Sequence, residues 1–85
     1  MTTRERLAEI DEELLMLAPE YDEAILGLAE RAGGMMAVAY DRGRVIDILE
    51  RQMPREDAEE WFEFNIVQAW VGELTPVFID TRVAE

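Results

Sequence analysis

The sequence predicts an α+β fold: four helices with a small two-stranded antiparallel sheet, in a single domain covering residues 1–85. Three observations carry that expectation. Two short apolar runs, at about 35–40 and about 76–80, are bounded by turn residues and have strand length. Apolar residues recur at helical spacing in four further segments. Pro19, Gly33-Gly34, Pro54 and Gly72 punctuate the chain where those segments should begin or end.

Thr3 is placed to cap the first helix, with Glu5 in its opening turn and Arg4 and Arg6 working against the helix dipole. Leu7, Ile10, Leu14 and Leu17 follow at spacings of three, four and three, a heptad seam that Leu15 and Met16 broaden. Two heptads are too few to specify a coiled coil, so a core-facing helix is the first reading and a self-association seam the alternative. Pro19 closes this helix and opens a second from about 20 to 32, whose stripe is Tyr21, Ala24, Ile25, Leu28, Ala29 and Ala32. Gly33-Gly34 supplies the stop.

The run Met35 to Tyr40 is the first strand. Asp41 is the N-cap of a third helix that turns Val45, Ile46, Leu49 and Met53 inward. Pro54 restarts the chain in a fourth helix reaching about Val71, with Glu56 and Asp57 near its positive end and Gly72 as its stop. Thr75-Pro76 leads into the second strand, Val77-Phe78-Ile79. The result is a β-α-α-β core preceded by two helices. A helix pair that returns the chain to the side it left makes the strands antiparallel.

Composition narrows the function. Apolar residues make up 49% of the chain, enough for a core without staples, and there is no cysteine for a disulfide or a thiolate zinc site. MTTRERLAEI is charged from Arg4 onward and lacks the apolar stretch of a signal peptide. No run approaches the roughly 20 apolar residues that span a bilayer. Twenty carboxylates face eight arginines and no lysine, for a net charge of −12. Direct binding to nucleic acid or to an anionic membrane is therefore disfavoured, because phosphate neutralisation needs clustered cations. The partner suggested by charge is a basic protein surface, and the bland alternative is that acidity only keeps a small protein dissolved.

Catalysis is not expected. The chain has no His, Cys, Ser or Lys, which removes the usual general base, nucleophiles and Schiff-base amine together. Gly33-Gly34 lacks the context of a phosphate loop, and the alternating Asp and Asn of a calcium loop are missing. No cofactor and no metal is expected. Carboxylate chemistry remains, but it needs a cleft that so short a chain has little volume to build.

Binding has a better candidate in the fourth helix. At 100° per residue, Ala58, Trp61, Phe62, Asn65, Ile66, Ala69 and Trp70 form one broad apolar face. Glu56, Glu59, Glu60 and Glu63 gather elsewhere, and Phe64, Val67 and Val71 make a second, narrower stripe. Either the helix is central and covered on both sides, or Phe64, Val67 and Val71 are an exposed anchor with an acidic rim, the anatomy of a protein-binding hot spot. Asn65, within the main face, should be buried and bonded to backbone near Thr75-Pro76. Glu9, Glu12 and Glu13 belong to a second acidic block that, with the first, can imitate a run of DNA phosphates.

The stretch Glu60-Trp61-Phe62-Glu63-Phe64-Asn65, then Ala69-Trp70-Val71-Gly72-Glu73 and Thr75-Pro76-Val77-Phe78, resembles a recurring ending of small phage and prophage proteins. Ala39-Tyr40-Asp41 fits the same group, and the resemblance covers roughly residues 20 to 80. It departs at Pro54, where a capping Ser or Thr is more usual. The group brings no assigned activity, so no functional residue carries over. The resemblance implies a bacterial cytoplasmic setting and inhibition of host machinery, above all a nucleic-acid-handling defence complex of CRISPR or restriction type. The alternative is an accessory or structural role through homodimerisation or higher self-association.

Overall fold

The computed structural model describes residues 1–30, 32–68, 72 and 74–83. Its sheet has three strands rather than two: β1 (Ile25–Glu30), β2 (Met36–Asp41) and β3 (Val77–Ile79), in the order β1-β2-β3. The α-helices are α1 (Thr3–Ile10), α2 (Arg42–Leu49) and α3 (Arg55–Phe62). A 3-10 segment, Pro19–Ala24, precedes β1, a π-helical turn, Glu63–Val67, continues α3, and a short 3-10 turn, Thr81–Val83, follows β3. The α+β class stands, with a mixed sheet.

The expected second helix is the largest correction. Only Pro19–Ala24 coils, and residues from Ile25 onward form β1, antiparallel to β2 with Leu28 opposite Val38 and Ala29 opposite Ala37. The helical stripe was real in spacing but contained Gly27, which is costly inside a helix. In the strand Gly27 has φ +153 and sits beside a register break next to Ile25, where a bulge favours glycine. Gly33 and Gly34, with φ +90 and +84, turn the chain between the two strands instead of stopping a helix. An apolar strand needs hydrogen-bonded neighbours on both edges to be buried, and β1 supplies one of them to β2.

The first helix also ends early. Its cap is Thr2, not Thr3: the Thr2 hydroxyl accepts from Glu5 N–H at 3.1 Å and the Glu5 carboxylate accepts from Thr2 N–H at 3.2 Å. It stops after Ile10 because Asp11 turns extended and its carboxylate accepts from Glu13 N–H at 2.9 Å. Glu9, Asp11, Glu12 and Glu13 would otherwise crowd the negative end of a longer helix. The heptad seam therefore does not exist. Leu7 and Leu14 are buried in the protein's own core, whereas Ile10 is 57% exposed.

The non-helical segment that follows is held by its backbone. Leu17 N–H donates to the Tyr40 hydroxyl at 2.9 Å, and the Arg4 guanidinium donates to the Leu17 carbonyl and to Asp22. The bond to Asp22 pushes the Arg4 pKa up. Tyr40 is fully buried on the central strand, its ring 6.0 Å from that of Phe78, which in turn meets Phe62 edge-on at 5.0 Å. Val38, Val45, Ile46, Leu49, Ala58 and Phe62 complete the centre of this core.

Asp41 caps α2 as expected, accepting from Arg44 N–H at 3.3 Å, and Val45, Ile46 and Leu49 point inward. The β2 and β3 strands run parallel, with Tyr40 opposite Phe78. The antiparallel expectation assumed that two helices alone make the return. A connection from Arg42 to Pro76 is long enough for a parallel pair. No helix among the described residues is long and apolar enough to cross a membrane.

Replacing Tyr40 with Phe leaves the Leu17 N–H without its acceptor in a part-buried site, and should cost about 1–3 kcal/mol in urea denaturation. Truncating Phe62 to Ala removes a fully buried ring and should cost about 3–5 kcal/mol. Burial pushes the Tyr40 pKa above its ordinary 10.0, outweighing the Leu17 N–H that lowers it, and burial raises Tyr21 as well. Both hydroxyls then stay neutral in the folded chain at a pH where the unfolded chain ionises. That stability is fully present below pH 10 and is lost as pH rises through the folded-state values. Alkaline denaturation followed by circular dichroism should show the fall, with a shallower slope in Tyr40→Phe.

Candidate functional site

Helix α3 uses one edge for the core. Ala58 and Phe62 are buried, and Ile66 in the π turn follows them. Residues four apart overshoot one turn of an α-helix, which has about 3.6 residues per turn, and fall short of one turn where bonds run i to i+5. The drift from Ala58 to Phe62 is thus undone by Ile66, and the three side chains stay in line. The same change turns Asn65 outward, contrary to the face drawn at 100° per residue, whereas Trp61 precedes the π turn and is exposed about 100° around the α-helix from the buried Phe62.

Three large apolar side chains consequently face solvent: Trp61 at 41% exposed, Phe64 at 65% and Val67 at 42%. Asn65 is exposed too, and its Nδ2 donates to the Trp61 carbonyl at 3.1 Å rather than to a strand end. Asp57, Glu60, Trp61, Phe64 and Asn65 line a shallow concavity of about 270 Å³. Their spacing, i, i+3, i+4, i+7 and i+8, is a complete helical stripe. A second hollow of about 230 Å³ lies on the other side of Asn65, between Leu15–Leu17, Ile66 and the Thr75–Phe78 stretch.

The expected site residues divide by what surrounds them. Glu56 and Glu60 are exposed beside the concavity and make no ion pair among the described residues, as is true of Asp57. Glu59 is held by Arg55 at 3.2 Å, and Arg55 also reaches Asp47 and Glu50 on the side of α2. Glu63 is bound by Arg42 at 2.8 Å, and that guanidinium lies 5.2 Å from the centre of the Phe62 ring. These two glutamates brace the helix. Val71 falls outside the described residues. Glu9, at the end of α1, and Glu12 and Glu13 just beyond it are exposed, but α1 has no extended packing against α3.

Of the expected residues, Glu60 and Phe64 line the concavity and Glu56 and Val67 are exposed on the same helix, while Asp57, Trp61 and Asn65, not expected there, complete the lining. Their helical spacing was readable in the sequence, but the apolar rank of Trp61 assigned it to the core. Among the described residues no group of three or more potential ligands could hold a metal ion. No family model, no curated protein and no solved structure matches the chain.

Because Phe64 and Val67 carry no core packing, Phe64→Ser and Val67→Ser should each change stability by no more than about 0.5 kcal/mol. Thermal or urea denaturation of the two variants checks this against Phe62→Ala, which shares their helix.

Proposed function

We propose that the protein acts by binding a basic surface of another protein through the outer face of α3 and its π turn. The observation that carries this reading is the exposed row Trp61, Phe64 and Val67 flanked by Glu56, Asp57 and Glu60, which make no ion pair among the described residues. Aromatic anchors with a charged rim are the usual composition of a hot spot. π-Helical turns also recur at functional sites, since the strain they store needs a compensating use. The chain's net charge of −12 draws such a partner in from a distance.

A basic protein surface of this kind most often holds nucleic acid. The protein therefore works as an inhibitor of a nucleic-acid-handling complex, a host defence system of CRISPR or restriction type in the bacterial cytoplasm, by occupying a surface meant for DNA or RNA. That setting is the one the proposed likeness of residues 20 to 80 to small phage and prophage proteins implies. Homodimerisation is less well supported. A two-fold dimer across this face sets Glu56, Asp57 and Glu60 against their own copies, and like charges opposed in this way are strongly disfavoured. The leucine seam that offered another dimer surface is spent on the core.

Affinity capture with the wild-type chain and with Phe64→Ser/Val67→Ser as matched baits tests the reading. A nucleic-acid-binding protein retained only by the wild type, displaced by added DNA, and released about tenfold more readily as salt rises from 50 to 200 mM is the expected result. A stable homo-oligomer in sedimentation that dissolves in the double variant would overturn it.

A further inference from the structure

The concavity on α3 is built from two kinds of group that rarely share a surface without a reason. Trp61 and Phe64 present aromatic rings, and Asp57 and Glu60 present carboxylates. The one amide in the lining, Asn65, turns its Nδ2 back to the Trp61 carbonyl, which leaves its Oδ1 as an acceptor. Such a site is rich in acceptors and π faces and holds no cation of its own. The arginines nearest in sequence are committed elsewhere, Arg55 to Asp47, Glu50 and Glu59, and Arg51 to Glu23.

We propose that this concavity receives an arginine side chain of the partner, an inference that rests on the protein-binding reading above. A guanidinium stacks on aromatic faces and bonds carboxylates through its edge, so one planar cation satisfies both kinds of lining group at once. An anion is repelled by Asp57 and Glu60. An apolar side chain would desolvate those carboxylates with nothing in return. An ammonium group gains the charge but not the flat stacking contact, so arginine is preferred over lysine. Phe64 lies three residues after Trp61, so helical spacing sets the two aromatic rings side by side along the concavity.

The test is a titration of the ¹⁵N-labelled chain with N-acetyl-arginine methylamide, followed by amide and Trp61 indole shifts. The citrulline, lysine and leucine derivatives serve as matched probes. The expected result is a set of shifts centred on Asp57–Asn65, with citrulline, which keeps the shape and loses the charge, binding about tenfold more weakly. Trp61→Ala and Asp57→Asn/Glu60→Gln should each weaken arginine binding about five- to tenfold while the remaining spectrum stays native. Equal binding of arginine and citrulline overturns the proposal, as do shifts at Glu9, Glu12 and Glu13 as large as those at the concavity. The two readings also fail separately. A captured protein whose binding falls in Phe64→Ser/Val67→Ser but not in Trp61→Ala leaves the protein-binding face standing and removes the arginine site.

Discussion

The fold depends on how the buried Tyr40 is satisfied. It lies on the central strand, opposite Ile25 on one side and Phe78 on the other, so its ring is fixed by both neighbours in the sheet. Its hydroxyl must still find a partner, because a phenol buried without one is costly. That partner is the Leu17 N–H, in a segment that has no regular structure of its own. One hydrogen bond therefore answers two needs, the buried hydroxyl and an orphan backbone donor. Arg4 takes the carbonyl of the same residue and ties α1 to Asp22, so the irregular stretch is held at both backbone groups of Leu17.

This clamp determines what α3 can do. Leu7, Leu14, Tyr21 and the sheet fill the core from one side and α2 from another, leaving α3 room to bury only Ala58, Phe62 and Ile66. A chain of this size cannot add a further layer over the helix. Its remaining apolar side chains must face outward, and the arginines follow the same logic. Arg4, Arg42, Arg51 and Arg55 join elements distant in sequence or brace the helix pair, so they do not screen the outer surface of α3. The negative charge is left where the aromatic rings are exposed.

What was legible in the sequence follows from how local each signal is. Asp41 as a cap, the strand ending at Tyr40 and Asp41, and the short Val77–Ile79 strand were all readable, because a capping side chain or a brief apolar run needs only its neighbours. Ile25–Glu30 was misread because its helical spacing is satisfied equally by a bulged strand, and only pairing with Met36–Asp41 chooses between them. The early end of α1 rests on the Asp11 carboxylate competing for the Glu13 N–H, a choice that spacing alone does not reveal. The outward turn of Asn65 was hidden for a related reason, and Trp61, which precedes the π turn, was assigned to the core by its size. A helical wheel assumes a constant turn, and the π turn breaks that assumption from Glu63 onward.

In the proposed complex, the two components of that face act on different steps of binding. Glu56, Asp57 and Glu60 lie on an exposed rim, where salt screens them and where charge mainly sets the rate of encounter. Trp61, Phe64 and Val67 contribute only once water is expelled between the surfaces, so they set how long the complex lasts. A partner with charge alone would arrive quickly and leave quickly; one with an apolar patch alone would be slowed by the field of the whole chain. Only a surface that is basic and also offers a flat or apolar contact uses both components. On the proposed reading, that pairing favours a basic protein surface over a free polyanion, a membrane or a second copy of this chain.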